Sequence, residues 1–178
     1  MKTRTLLLLF LLLGVLQLAV PVSMVWRWED VLKNGERYYW LAEPVDPYEL
    51  MKGRYIDLYF KDRQAPVIGN DQLLLGQSAF GLINIDQDGY ASVSGVTAVR
   101  PEGRPYIKIK ISGLSANTVY FSLPFKRYYI PENTALPIEE AYRKHAGRDY
   151  KVAVRIKDGY GVIEDIFLGA QPMKEVIK

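Results

Sequence analysis

Cysteine is missing from the chain altogether. Its absence excludes a disulfide framework and any thiolate metal site. Histidine occurs once, as His145, so no centre built on several imidazoles can form. Neither sign of charge dominates: 23 Lys and Arg stand against 20 Asp and Glu, a formal net charge of +3. No basic block accompanies that balance, so the electrostatic footprint of a nucleic-acid binder is lacking. Internal repeats and low-complexity tracts are absent too. No cofactor is implied by any motif, and 178 residues allow one small domain plus an attachment.

What is there begins with one long apolar run. Lys2 and Arg4 precede it, and it continues from Leu6 to about Trp26. About 20 apolar residues are enough to cross a bilayer core. A cleaved signal peptide would need small residues at its end, and Pro21-Val22-Ser23 supplies a poor site. Trp26 and Trp28 stand at the exit, where indoles favour the headgroup region. The expectation is an uncleaved single-pass anchor over residues 1–26, embedded through 6–26, with a cleaved signal sequence as the alternative. Lys2 and Arg4 would keep the N-terminus in the cytoplasm and the rest outside. Residues 27–35 would be a short juxtamembrane segment continuing the helix, with Gly35 as its stop. Residues 36–178 would form the extracytoplasmic domain, held close to the bilayer.

That domain is rich in tyrosine, 13 in all, and in alternating apolar runs, which favours strands. Glu36 to Ala42 alternates Tyr38, Trp40 and Ala42 against Arg37, Tyr39 and Leu41. Tyr55 to Phe60 puts Ile56, Leu58 and Phe60 on one face. Asp62 to Pro66 reads as a turn, and Asp71 to Gly76 as strand or loop. Ser78 to Ile85 and Tyr90 to Val99 flank Asp86-Gln87-Asp88-Gly89, a hairpin turn by its chemistry, with a bend at Gly95. Tyr106 to Ser112 turns Ile107, Ile109 and Ile111 inward. Gly113 to Asn117 turns the chain, and Val119, Phe121, Leu123 and Phe125 form the next apolar face. The one convincing helix lies near Leu136 to Ala146, with Pro137, Glu139 and Glu140 in its first turn and Gly147 as its stop. Tyr150 to Lys157 and Val162 to Leu168 close a terminal hairpin, and Pro172 onward is tail. Seven to nine strands with short connections mean antiparallel pairing. The fold class is mainly β: an antiparallel β-sandwich or partly open barrel with one late helix, plus the single transmembrane helix.

Pro44 to Phe60, PVDPYELMKGRYIDLYF, organises the domain. Pro44 and Pro47 fix φ, Asp46 can cap one helical turn, and Gly53 ends it. Gly53-Arg54-Tyr55-Ile56-Asp57-Leu58-Tyr59-Phe60 resembles the signature string of the GDYXXLXY family of bacterial membrane-anchored proteins. Gly53, Tyr55 and Leu58 match the string; Arg54 replaces its Asp and Phe60 its final Tyr. Pro44-Val45-Asp46-Pro47 resembles the family's lead-in. Lys126-Arg127-Tyr128-Tyr129-Ile130-Pro131-Glu132 is similar to its second, aromatic-rich block. The resemblance implies a membrane-anchored extracytoplasmic domain without an assigned activity. It also implies a multi-pass membrane protein as partner.

Candidate chemistry is sparse. A binding surface is expected from Asp46, Gly53, Tyr55, Leu58, Arg127, Tyr128, Pro131 and Glu132. The packing alternative has the tyrosines filling a sheet face while Arg127 pairs with Glu132 or Asp46. Asp46, Asp57, Glu132, Glu139, Glu140, Glu164 and Asp165 are the carboxylates from which a glycosidase pair would be drawn, and nothing in the spacing joins two of them. Ser23-Met24 and Lys126-Arg127 superficially resemble the serine and lysine blocks of signal peptidases. His145 suits the end of the late helix, and Asp86 to Gly89 lacks the rest of a calcium loop. The expected function is therefore a non-enzymatic binding or accessory module for a membrane protein. The alternative is an extracytoplasmic hydrolase with a carboxylate pair or a Ser/Lys dyad.

Overall fold

The computed structural model describes residues 2–43, 55–69, 71–129, 150–169 and 171–176. Helix α1 (Lys2–Asn34) comes first and carries Pro21 within it. Residues 3–34 are long and apolar enough to cross a membrane, with a mean hydropathy of 2.5 over the most apolar stretch. Every large apolar side chain from Leu6 to Trp26 is more than half exposed. A helix with no protein against its apolar surface is suited to lipid.

Twelve strands follow among the described residues. They are β1 (Glu36–Glu43), β2 (Tyr55–Asp57), β3 (Tyr59–Phe60), β4 (Gln64–Pro66), β5 (Ser78–Ile85) and β6 (Ala91–Thr97). Then come β7 (Tyr106–Ser115), β8 (Thr118–Ser122), β9 (Arg127–Tyr129), β10 (Tyr150–Lys157), β11 (Tyr160–Leu168) and β12 (Gln171–Pro172). One sheet has the order β12-β11-β10-β1-β3 and the other β4-β8-β7-β5-β6, with β2 and β9 paired between them. All ladders are antiparallel. Two isolated parallel bridges add to these: Val67 with Val96 links the two edges of the second sheet, and Ile107 of β7 meets Gly159 of the β10–β11 turn. The result is a nearly closed, barrel-like sheet, the second of the two architectures expected.

Alternation decides what fills it. Tyr38, Trp40 and Ala42 point inward from β1, and Ile107, Ile109 and Ile111 from β7. Val119, Phe121, Leu123 and Phe125 join them from β8 and the segment after it. Trp40 is the largest fully buried side chain, 1% exposed. Its ring meets Phe125 edge-on at 5.4 Å, and Phe125 meets Phe60 at 5.2 Å. Its indole N–H donates to Asp62 Oδ2 at 3.1 Å, which also accepts the Val93 amide at 2.8 Å. Burying side chains of this size contributes about 1.5–3 kcal/mol each.

Several expectations change in detail. The stretch Tyr55 to Phe60 keeps its inward Ile56, Leu58 and Phe60 but is not one strand: β2 pairs with β9 and β3 with β1. The expected turn at Asp62 to Pro66 contains β4, because Gln64 to Pro66 lie opposite Tyr120 to Thr118. Strand β7 runs on past Gly113, with a register shift between Ile111 and Gly113, so only Ala116 and Asn117 turn. The segment 71–76 is a loop, held by Asp71 accepting from Thr97 Oγ1 at 2.6 Å and the Ala98 amide at 2.7 Å. The expected tail forms β12 and a short late helix, α2 (Met173–Val176), whose Met173 is fully buried. The helix read near Leu136 to Ala146, with His145, lies outside the described residues, as does the expected Asp46-capped turn.

The junction of helix and barrel positions the site. Gly35 ends α1, its amide donating to Val31 O at 2.9 Å. The last turns of α1 then lie along the β10–β11 hairpin in a ladder of contacts. Tyr160 meets Trp28 edge-on at 6.0 Å, Lys157 Nζ reaches Asp30 at 2.8 Å, and Arg155 Nη1 donates to Gly35 O at 3.0 Å. Arg155 and Arg37 both grip Glu164, at 2.8 Å and 2.6 Å. These two cations, Arg37 foremost, hold the Glu164 carboxyl down at about 2. The segment after the apolar run is therefore part of the folded domain.

Candidate functional site

Strands β2 and β9 bring together two blocks about 70 residues apart in sequence. Tyr55 lies opposite Tyr129, Ile56 opposite Tyr128 and Asp57 opposite Arg127. Leu58 continues the pairing through its amide, which donates to Lys126 O at 2.7 Å. With a period of two, each strand of the ribbon shows one face to the core and one outward. Ile56, Leu58 and Tyr128 go in; Arg127 and Tyr129 are exposed, and Tyr55 and Asp57 are half-buried.

The outward face is an aromatic and charged cluster. Arg127 Nε donates to Asp57 Oδ1 at 3.2 Å, and its guanidinium lies 4.5 Å from the centre of the Tyr55 ring. Tyr55 and Tyr129 rings are 5.9 Å apart. Asp57 first, then the electron-rich Tyr55, raises the Arg127 pKa further. Arg127 thus pairs with Asp57, a partner the sequence reading had not named. Asp46, Gly53, Pro131 and Glu132 lie outside the described residues.

The inward face is structural. Tyr128 is buried, and its hydroxyl donates to Asp165 Oδ1 at 3.3 Å. That oxygen also accepts the Ile166 amide at 2.9 Å. Burial, reinforced by the Asp165 carboxylate, pushes the Tyr128 phenol well above its ordinary range. Buried Tyr128 thus fits the packing alternative, whereas Arg127, Tyr55 and Tyr129 present a surface.

Beside the ribbon runs an open groove of about 640 Å³. It is lined by Asp57, by residues 123–129, by residues 161–163 of β11 and by Trp28 of α1. Gly161 is needed here because a Cβ would lie 2.7 Å from the Phe125 ring. Its bare backbone lets that ring lie against β11. The lining is chiefly apolar, with Lys126, Arg127 and Asp57 as its charged residues, an arrangement suited to a ligand or polypeptide segment. Trp28 was read from the sequence only as a lipid-interface residue. Its place in the groove follows from the docked hairpin, which no local pattern announces.

A second hollow of about 410 Å³ lies on the other side of Asp57 and Arg127. Asp57 and Asp62 both line it, with Arg63, Ser122 and Lys126. Burial raises the Asp62 pKa, against the bonds from Trp40 and Val93 that lower it. Among the described residues no group of three or more His, Cys, Asp or Glu could hold a metal. Ser23, the expected nucleophile of a Ser/Lys dyad, lies in α1 and donates back to Val20 O at 2.7 Å.

A family model described as GDYXXLXY protein matches residues 17–166. Comparison with curated proteins and with solved structures found no match.

Proposed function

We propose, starting from the fact that the chain belongs to the GDYXXLXY family, that it is a membrane-anchored extracytoplasmic module. Its work is to bind a membrane protein partner rather than to catalyse a reaction. The observation that carries this reading is the docked junction: α1 is fixed to β10 and β11, and its Trp28, just past the apolar run, lines the groove. A partner emerging from the same bilayer would meet the groove and the Tyr55–Arg127–Tyr129 cluster without leaving the membrane surface. Tyr and Arg are the residue types most often found at binding hot spots. Lys2 and Arg4 support an N-terminus in the cytoplasm and a domain outside.

Two experiments test the reading. With no native cysteine, single cysteines at Thr3 and Lys110 can be labelled in intact cells with an impermeant maleimide. Labelling of Lys110→Cys alone is expected; labelling of Thr3→Cys alone would reverse the topology. A photo-crosslinking residue at Tyr129 should capture a membrane protein that the same residue at Lys110 does not. Identical adducts from both positions, or none from Tyr129, would remove the groove from the account.

A second reading, a hydrolase acting near the membrane, is favoured by Asp57 and Asp62 sharing one hollow. Burial of Asp62 would suit a general acid. Asp57 is tied to Arg127, however, and both donors to Asp62 end on the same oxygen, an arrangement equally suited to holding Trp40. Any glycosidase turnover by the purified protein must vanish in Asp62→Asn and Asp57→Asn. Turnover that survives both would place the chemistry elsewhere.

A further inference from the structure

At the end of the apolar run two cations converge on one tyrosine, one at its hydroxyl and one over its ring. Arg27 Nη1 lies 3.5 Å from the Tyr160 hydroxyl, and Lys108 Nζ lies 3.8 Å from the centre of the same ring. Neighbouring cations in this region are neutralised: Lys157 by Asp30 and Arg100 by Asp158. Among the described residues, neither Arg27 nor Lys108 has a carboxylate partner. The pair draws the Tyr160 pKa down, Lys108 more than Arg27, as an uncompensated positive field does.

Depth follows from the helix. Arg27 is the first residue after the apolar run, and α1 rises about 1.5 Å per residue. Headgroups add about 5–8 Å to each side of a core about 30 Å thick. Tyr160 touches both Arg27 and Trp28, so the hairpin tip and Lys108 beside it sit at headgroup level. The position is held by backbone: Lys108 N donates to Gly159 O at 2.9 Å. Gly159 has φ +78°, and a Cβ there would lie 2.7 Å from the Tyr106 ring.

We propose that Arg27 and Lys108, arranged around Tyr160, form a binding site for the phosphate of an anionic phospholipid headgroup. The inference rests on the membrane-anchored reading above. Two cations without a carboxylate partner among the described residues match a phosphodiester whose headgroup carries no cation of its own, whereas a zwitterionic headgroup brings its own cation to compete. Bound lipid would hold the barrel base against the bilayer and fix the direction in which the groove opens.

The test uses the full chain in phosphatidylcholine nanodiscs containing a minor share of phosphatidylglycerol, with retained lipids counted by native mass spectrometry. Wild type should retain phosphatidylglycerol in preference to phosphatidylcholine. Lys108→Gln and Arg27→Gln should each lower that preference about fivefold, the effect of one cation at a lipid surface. Lys110→Gln, on the same strand but outside the cluster, should leave it unchanged. Equal retention of the two lipids by wild type, or a preference that survives Arg27→Gln/Lys108→Gln, would overturn the site while leaving the anchor intact. Binding of inorganic phosphate in pure phosphatidylcholine discs without a lipid preference would report a free-anion site and overturn it too. So would a charge-dependent protein partner with no lipid preference. Alkaline carbonate extraction of the same membranes separates the two readings: release of the chain would sink the anchor, and the lipid site with it.

Discussion

Gly35→Ala distinguishes a docked helix α1 from a loose one. Gly35 is buried where α1 meets β10, and it has no positive φ, so what it supplies is space. A methyl group there would collide with the Val31 carbonyl and lie 3.0 Å from the Ile156 nitrogen and 3.1 Å from its oxygen. All three neighbours are backbone atoms, so no side chain can rotate aside. Overpacking of this kind costs about 1–3 kcal/mol. The lower unfolded-state entropy of alanine returns about 0.4–1 kcal/mol. The upper part of the cost range applies because the backbone is pinned on both sides, and the net loss is about 2 kcal/mol. For a domain of this size that lowers Tm by about 4–8 °C. The strain can also be relieved by lifting α1 off the hairpin. Hydrogen exchange should therefore rise at residues 28–35 and at the tip 157–160, while β5 and β7 stay protected. Gly14→Ala is the control, since nothing lies within 4 Å of a Cβ there. If Gly35→Ala melts with wild type and exchanges like it, the helix is not wedged on the barrel, and the argument from its placement fails.

Three further outcomes can be measured by equilibrium unfolding of the same chain. Glu164→Gln should cost up to about 3 kcal/mol at neutral pH, the ceiling set by a carboxyl held at about 2 against its ordinary 4.5. Because the folded pKa is depressed, that stability is full above about pH 4.5 and fades as pH falls towards 2; a penalty that grows below pH 4 would contradict the sign. Trp40→Phe should lose about 1.5–3 kcal/mol, since it leaves Asp62 Oδ2 with only the Val93 amide and opens space beside Phe125; a cost under about 0.5 kcal/mol would mean that the indole bond is dispensable. Arg127→Ala should leave Tm almost unchanged, because the Asp57 pair is exposed, yet abolish the Tyr129 crosslink to a membrane partner. A large drop in Tm with crosslinking intact would recast Arg127 as a packing residue.

Much of the barrel was legible because its strands are half-buried and alternate. Ser78 to Ile85 and Tyr150 to Lys157 are read residue for residue, each carrying an inward apolar set between clear turns. The hairpin turn at Asp86 to Gly89 was legible from its chemistry: Asp86 Oδ1 accepts the Asp88 and Tyr90 amides at 3.0 Å and 2.8 Å, and Gly89 has φ +83°. Strands of two or three residues were not legible. Gln64 to Pro66 has no alternation long enough to register, and it is a strand only because Tyr120 to Thr118 lie alongside. The same limit hid the partner change within Tyr55 to Phe60, whose inward residues stay in phase while the hydrogen-bonding neighbour switches. Of the candidate surface, Tyr55 and Arg127 were named in advance, but Asp57, Tyr129 and Trp28 were not. Their proximity is set by pairing between distant segments, which periodicity does not encode.

The β2–β9 ribbon explains why one short string can carry both a fold and a surface. On β9 the period of two sends Tyr128 inward to Asp165 and leaves Arg127 and Tyr129 outside. On β2 it sends Ile56 inward and leaves Tyr55 and Asp57 to meet them. A slip of β9 by one residue would bury Arg127 and expose Tyr128, so the core contacts fix the register of the outer cluster. Arg127 is therefore oriented by residues it does not touch. Another part of the groove lining is set in the same way, through Trp28 on a helix held by Tyr160, Lys157 and Arg155. If this surface is the proposed binding site, two structural locks shape it, and weakening either is expected to lower capture of a partner at Tyr129 without removing a contact residue.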